Sequence, residues 1–246
     1  MTATTAYPRI SYLGFALAAG SAAAAMLAGF GSRFDLWRFT TGFSVLRWAV
    51  YAAIAAAVVS AVGAVLSRRV PRGRGWALAG LLVSLVIIAI PASWLYAAMR
   101  VPPIHDITTD TLDPPQFKAV LPLREGAANG TRYGGPAVAE QQRKAYPNIR
   151  PLIVHQPPLP VFQQALKTAR QLGWEVVAAD SEQGRIEATD TTFWFGFKDD
   201  IVVRVRSVDG GSRVDVRSLS RVGRSDIGTN AARVRHYLSR LRKRLS

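Results

Sequence analysis

The chain has 246 residues, no cysteine, and 31 Lys and Arg against 16 Asp and Glu, a formal charge of +15. The missing cysteine excludes disulfides, thiolate metal sites and a lipoprotein anchor. The excess charge is split: eight arginines precede Arg100, opposed only by Asp35, and 23 basic and 15 acidic residues follow from Arg100 onward, a surplus of eight.

Three apolar stretches come first: Ile10 to Gly31, Trp48 to Leu66 and Trp76 to Met99. None contains Asp, Glu, Lys or Arg, and each is near the about 20 residues that a helix needs to cross a bilayer. The spacing predicts three transmembrane helices, a membrane domain over residues 1–100. The first stretch is rich in Ala and Gly and holds Ser11 and Ser21. It can also be read as a signal sequence with Arg9 as a short basic region. Pro91 lies inside the third stretch and removes one helix hydrogen bond. Trp76, Trp94 and Tyr96 lie near its ends, where aromatic rings favour the interface. The stretches contain no carboxylate, Lys or His, which argues against a pump or an ion-coupled transporter.

The loop between the second and third stretches carries Arg68, Arg69, Arg72 and Arg74 without an acid. Positive charge favours the cytoplasmic side, so this loop is expected inside. The Ser32 to Arg47 loop, with Arg33, Arg38 and Arg47, is then outside and the N-terminus cytoplasmic. The third span delivers everything after Arg100 to the extracytoplasmic side.

Residues 101–159 are rich in proline and read as an irregular strap with one short helix near Ala137 to Ala145. Asp106, Asp110 and Asp113 would suit a hard metal ion. They lack the glycine and terminal Glu of an EF-hand loop, and Asx and Thr turns account for them. No metal and no cofactor is expected.

Residues 160–246 are expected to form an α+β domain. Phe162, Ala165, Leu166 and Ala169 follow helical spacing between Pro160 and Gly173. Four strands are expected at Trp174 to Ala179, Arg185 to Thr192, Ile201 to Val208 and Arg213 to Leu219. Asp209-Gly210-Gly211 marks a hairpin between the last two. Ile201, Val203, Val205, Val214 and Val216 fall on one face of this hairpin. Arg204, Arg206, Arg213, Asp215 and Arg217 fall on the other, as in an antiparallel sheet with one covered face. From Ser225 to Leu245, the residues Ile227, Ala231, Val234, Leu238, Leu241 and Leu245 form one helical stripe. The expected order is αββββα, a four-stranded antiparallel sheet covered by two helices.

The densest polar run joins the last strand to the last helix. Arg217, Ser220, Arg221, Arg224, Ser225, Asn230 and Arg233 would clamp a phosphate, sulfate or carboxylate, with a helix N-terminus behind them. Asp226 counts against this, since a carboxylate can cap the helix itself. The same arginines can instead pair with Asp190, Asp199 and Asp200. Phe193, Trp194, Phe195 and Phe197 put aromatic rings on both faces near a sheet edge, as a pocket mouth, a membrane-facing rim or ordinary core would. Gly228 is out of place in a first helical turn. His105, His155 and His236 are scattered, and no nucleophile elbow, Walker loop or dinucleotide-binding glycine pattern is present.

Several of these segments resemble the domain of unknown function 1499 family. They are Ala145-Tyr146-Pro147, Gly173-Trp174, Arg185 to Thr192, Phe197-Lys198-Asp199-Asp200 and Arg217 to Arg233. The resemblance runs from about His105 to Leu241. It implies a bacterial or plant protein, with hydrophobic spans ahead of the domain in some bacterial members. It carries over no activity and no catalytic residue. The expected function is a multi-pass binding or scaffold protein of the bacterial inner membrane. Its partners are the bilayer and an anionic lipid or envelope polymer. One alternative is an envelope hydrolase using Asp190, Asp199 or Asp200 as general acid or base. Another is a cytoplasm-facing basic domain on nucleic acid, which needs the opposite topology.

Overall fold

The computed structural model describes residues 6–246. The expected cytoplasmic N-terminus, residues 1–5, lies outside the described residues. The chain divides into two units: residues up to Tyr96 together with Phe193–Gly196, and Ala97–Thr192 together with Phe197–Ser246.

The first unit is built on α1 (Ala6–Arg33), α2 (Phe39–Leu66) and α3 (Pro71–Ala98). All three are long and apolar enough to cross a membrane, with mean hydropathy of 1.7, 2.3 and 2.3. Each buries a stripe of mostly small residues. In α2 the stripe is Gly42, Leu46, Ala49, Ala53, Ala56, Ser60 and Gly63, and in α3 it is Gly73, Ala77, Gly80, Ser84 and Ile87. The alternating steps of three and four keep each stripe on one side of its helix. Bulky side chains such as Leu13, Leu17, Val58, Leu82 and Leu85 are exposed. This is the sorting expected of helices in lipid: apolar side chains gain little by leaving it, so helices associate where small residues let backbones approach. A Cβ on Gly14 would stand 2.5 Å from Ser60 Oγ, and one on Gly63 2.9 Å from Ser11 Oγ. Ser11 and Ser67 share a buried hydrogen bond of 3.1 Å between α1 and α2.

The segment Phe193–Gly196 completes this unit. The Trp194 indole donates to the Met26 carbonyl at 3.3 Å, and Ser32 Oγ donates to the Phe195 carbonyl at 3.1 Å. Phe193 packs on Phe30, Phe195 on Phe43 and Trp194 on Trp94, with ring centroids 5.6, 5.0 and 5.4 Å apart. Phe197 belongs to the second unit.

The second unit is α+β, and its sheet has six strands rather than the four expected. They are β1 (Asp106–Thr108), β2 (Leu152–Val154), β3 (Glu175–Asp180), β4 (Arg185–Thr191), β5 (Lys198–Val208) and β6 (Gly211–Ser220). The order is β1-β6-β5-β4-β3, all antiparallel, with β2 also on β6. The two extra strands come from the proline-rich residues 101–159. They sit end to end along β6, β1 against Arg217 to Leu219 and β2 against Ser212 to Val214. Three residues are too few to show an alternation in sequence. The same stretch holds a 3-10 turn at Pro122–Arg124 and α4 (Gly135–Ala145).

One face of the sheet is apolar and carries α5 (Pro158–Gln171) and α6 (Thr229–Leu245). Val161, Phe162, Ala165 and Ala169 of α5 and Ala231, Val234, Tyr237 and Leu241 of α6 pack on Ile186, Ile201, Val203, Val205, Val214 and Val216. Leu238 and Leu245 are partly buried against this core. Tyr237, absent from the expected stripe, is fully buried, stacks on Trp174 and donates to the Ala165 carbonyl at 2.9 Å. Helix α6 starts at Thr229, four residues later than Ser225. Gly228 is its N-cap residue with φ 84°, a left-handed conformation that glycine adopts without the Cβ clash. Its neighbour Ile227 also has positive φ, 53°, stays outside the helix and is partly exposed.

The opposite face was expected to be open, and it is covered. The segment that follows β1, up to Thr131, lies across it, where Phe117 and Val120 pack on Val202 and Leu219. Charged side chains fill the rest of this second layer: Glu187, Asp200, Asp215 and Arg217 are fully buried. Alternation of Arg and Asp with Val therefore marks an ionic layer here, not a solvated one.

Candidate functional site

The expected anion-binding residues sit at the end of the sheet where β6 leaves toward α6, but they divide between its two faces. Successive residues of a strand point to opposite sides, so Arg217 and Arg221 lie under the strap, whereas Ser218 and Ser220 face α6.

Arg217 is fully buried. It donates from Nε and Nη2 to the two carboxylate oxygens of Asp106 at 2.9 and 2.8 Å, and to the carbonyls of Pro115 and Thr131 at 3.1 and 2.7 Å. Its guanidinium stands 5.0 Å from the Phe117 ring centroid and 5.6 Å from that of Tyr133. Burial, with Asp106 nearby, pushes the Tyr133 hydroxyl up to about 12.

Arg221 grips Asp200 with both ends of its fork, at 2.9 and 2.8 Å, and donates to the Leu123 carbonyl at 2.6 Å. Asp200 also accepts from Arg124 and, at 2.7 Å, from Thr189 Oγ1. Burial alone would raise the Asp200 carboxyl. The hydrogen bonds from Arg221 and Thr189, the Arg221 charge and the Arg124 hydrogen bond outweigh it and hold the group below its ordinary value.

On the helix side, Arg233 bonds Asp190 at 2.7 Å and Asp199 at 2.6 Å. It also donates to Asn230 Oδ1 and, at 3.1 Å, to Ser218 Oγ. Burial lowers the Arg233 pKa, but the Asp199 and Asp190 charges and hydrogen bonds raise it further. Asn230 donates to Ser220 Oγ and to the His105 carbonyl at 2.9 and 3.0 Å. Asp226 accepts the backbone N–H of Gly228 at 2.9 Å and of Asn230 at 2.6 Å. A carboxylate therefore already occupies the start of α6. Burial raises its pKa, and these two hydrogen bonds only partly offset the rise. Ser225 Oγ accepts the Ile227 N–H at 3.2 Å. Arg224 is exposed.

Of the three carboxylates considered for hydrolysis, two meet, but on an arginine, and the third stands apart. Asp190 and Asp199 share Arg233 on the helix side, and Asp200 sits with Arg124 and Arg221 on the strap side. The Asp106, Asp110, Asp113 series is also spent on arginine. Asp106 holds Arg217, and Asp110 and Asp113 form a cluster with Asp215 around Arg204, Arg206 and Arg213. Asp110 Oδ1 also accepts the N–H of Leu112 and Asp113 at 3.1 and 3.0 Å, an Asx turn. Among the described residues, no group of His, Asp and Glu is placed to hold a metal ion.

The residues that fasten the strap have no local signature in the sequence. Both Glu187 oxygens bond the Lys118 N–H, at 2.9 and 3.0 Å, and Oε2 also takes the Val120 N–H at 3.0 Å. Asn129 Nδ2 donates to the carbonyls of Ser220 and Gly223 at 3.1 and 2.9 Å. The one available hint was a glutamate in a strand whose neighbours Ile186 and Ala188 are apolar.

The pattern of the family described as protein of unknown function, DUF1499, matches residues 106–241. The matched region runs from β1 into α6 and so takes in the strap, the ionic layer beneath it and the Arg233 cluster on the helix side. No curated protein matches the chain. The chain belongs to the DUF1499 family.

Proposed function

We propose that this DUF1499 member is a non-catalytic, multi-pass protein of the bacterial inner membrane, whose α+β domain serves as an extracytoplasmic docking scaffold. The observation that carries this reading is the mutual neutralisation of its candidate reactive groups. Eight arginines (124, 185, 204, 206, 213, 217, 221 and 233) are paired with eight carboxylates (106, 110, 113, 187, 190, 199, 200 and 215). An arginine fork already filled by a carboxylate and carbonyls has little left to offer a phosphate. A carboxylate held by two guanidiniums is a poor base. The Arg217 to Arg233 run thus reads as a set of internal cross-links tying the strap and α6 to the sheet. The extracytoplasmic placement rests on Arg68 and Arg69 in the loop between α2 and α3 and on Arg72 and Arg74 in the first turn of α3.

The test uses the full chain in detergent, titrated with inorganic phosphate, for the native sequence and for Arg221→Ala and Arg233→Ala. Both substitutions are expected to lower the melting temperature and leave phosphate binding unchanged. A loss of saturable phosphate binding at an unchanged melting temperature would overturn the cross-link reading and restore an anion site at this connection.

A further inference from the structure

The surplus charge of the second unit is concentrated in its helical layer. From Arg100 onward the chain has 23 basic and 15 acidic residues. Helices α5 and α6 contain eight of the basic residues, Lys167, Arg170, Arg233, Arg235, Arg240, Arg242, Lys243 and Arg244, and no Asp or Glu. The remaining 15 basic and 15 acidic residues cancel. Of the eight, only Arg233 is buried and ion-paired. The other seven are exposed, and among the described residues none forms an ion pair. Five of them lie on α6 between Arg235 and Arg244, at exposed positions of the helix that buries Ala231, Val234, Tyr237 and Leu241. At about 1.5 Å per residue, the nine steps from Arg235 to Arg244 spread these cations over roughly 14 Å of the helix.

We infer that the outer face of the α5–α6 layer docks on anionic lipid headgroups. This rests on the scaffold reading above and names its partner. Of these seven cations, a groove at the end of α6 takes in Arg242, and the other six lie outside it, so the face fits a distributed anionic surface better than a small anion. Among the described residues, the exposed positions of α5 and α6 carry no Phe, Tyr or Trp, and the His236 imidazole is the one ring there on which a nucleic-acid base could stack. At the far end of α6 an open groove of about 380 Å³ sets Ile153, Val154 and Leu245 beside Arg242, and Ile153 is 55% exposed. Apolar side chains next to cations suit the boundary between headgroups and acyl chains. The bilayer is also close along the chain: α3 ends at Ala98 and β1 begins at Asp106. A short tether holds the face at high effective concentration near a lipid surface.

Because the chain lacks cysteine, Ser239→Cys, on the exposed side of α6, gives a unique labelling position. The full chain carrying a donor dye there is placed in nanodiscs with headgroup-labelled acceptor lipid, either of phosphatidylcholine alone or with phosphatidylglycerol added. Energy transfer is expected to rise with phosphatidylglycerol. The rise should vanish in high salt and in the triple variant Arg240→Glu, Lys243→Glu, Arg244→Glu. If the triple variant does not fold, Arg235→Glu and the salt series on the native sequence carry the test. Equal transfer in both lipid mixtures, or a rise that survives charge reversal, would overturn the proposal. So would saturable binding of a single-stranded oligonucleotide alongside a flat lipid response, which would make the face a nucleic-acid surface. Both leaflets of a disc have the same composition, so the outcome does not depend on topology. A flat lipid response also leaves the cross-link reading of Arg221 and Arg233 intact.

Discussion

Arg217 and Asp106 meet in a buried bidentate ion pair that spans the β1–β6 edge of the sheet. The sequence separates them by 111 residues, and the pair fixes where the strap begins its path across the sheet. Removing one partner leaves an uncompensated buried charge, which typically costs about 3–5 kcal/mol. Arg217→Ala is therefore expected to destabilise the second unit by about that amount. The double substitution Arg217→Met, Asp106→Leu should cost much less. Thermal melts of the full chain in detergent, followed by the β-sheet circular dichroism signal, compare the two. Equal losses would mean that the pair is not the relevant element.

Glu187 anchors the middle of the strap through the backbone of Lys118 and Val120. Glu187→Met removes both acceptor oxygens, so the Lys118 and Val120 N–H groups lose their side-chain partner. The expected cost is about 1–3 kcal/mol. It should be local, with faster hydrogen exchange at Lys118 and Val120 and little change in β5. Uniform acceleration across the sheet would show that the strap is not a separate layer.

Two carboxylates give opposite pH dependences. Asp200 is held below its ordinary 3.8, so its contribution is present above that value and is lost as pH falls through the lower folded value. Asp226 is raised above 3.8, so its contribution is present below 3.8 and is lost as pH rises through the raised folded value. Acidification from neutral pH should first relieve Asp226 and then undo Asp200. Asp226→Asn is expected to remove the early gain. Asp200→Asn should remove the late loss and lower stability at neutral pH. Melting temperature against pH for the three chains separates these limbs, and superimposable profiles would contradict the assignment.

In the first unit, Ser11 and Ser67 hold α1 and α2 at hydrogen-bonding distance. Ser11→Cys with Ser67→Cys should cross-link readily under mild oxidation. Adding Gly14→Val should suppress the cross-link, because a Cβ at position 14 meets the Ser60 backbone nitrogen at 2.9 Å and forces the helices apart. Undiminished cross-linking would show that close approach at Gly14 does not hold the pair together.

What was legible in the sequence follows from length and periodicity. The three helices of the first unit, α5, α6 and strands β3 to β6 each repeat an apolar pattern long enough to recognise. Strands β1 and β2 have three residues each and take their conformation from β6. The second layer was not legible, since it is made of ion pairs such as Arg124–Asp200 and Arg217–Asp106, whose partners lie 76 and 111 residues apart. A polar alternation on one strand looks the same whether its partner is water or a distant carboxylate. The oddity of Gly228 was legible, and its cause, a left-handed N-cap residue, was not.

The most direct test of the account is which side of the membrane the scaffold domain faces. A C-terminal alkaline phosphatase fusion to the full chain, paired with a fluorescent-protein fusion at the same site, reports it in bacterial cells. Arg68, Arg69, Arg72 and Arg74 separate the second and third apolar stretches, and Arg33, Arg38 and Arg47 separate the first and second; this margin of four to three predicts an active phosphatase and a dark fluorescent fusion. An inactive phosphatase with a bright fluorescent fusion would contradict the account and turn the basic α5–α6 face toward the cytoplasm.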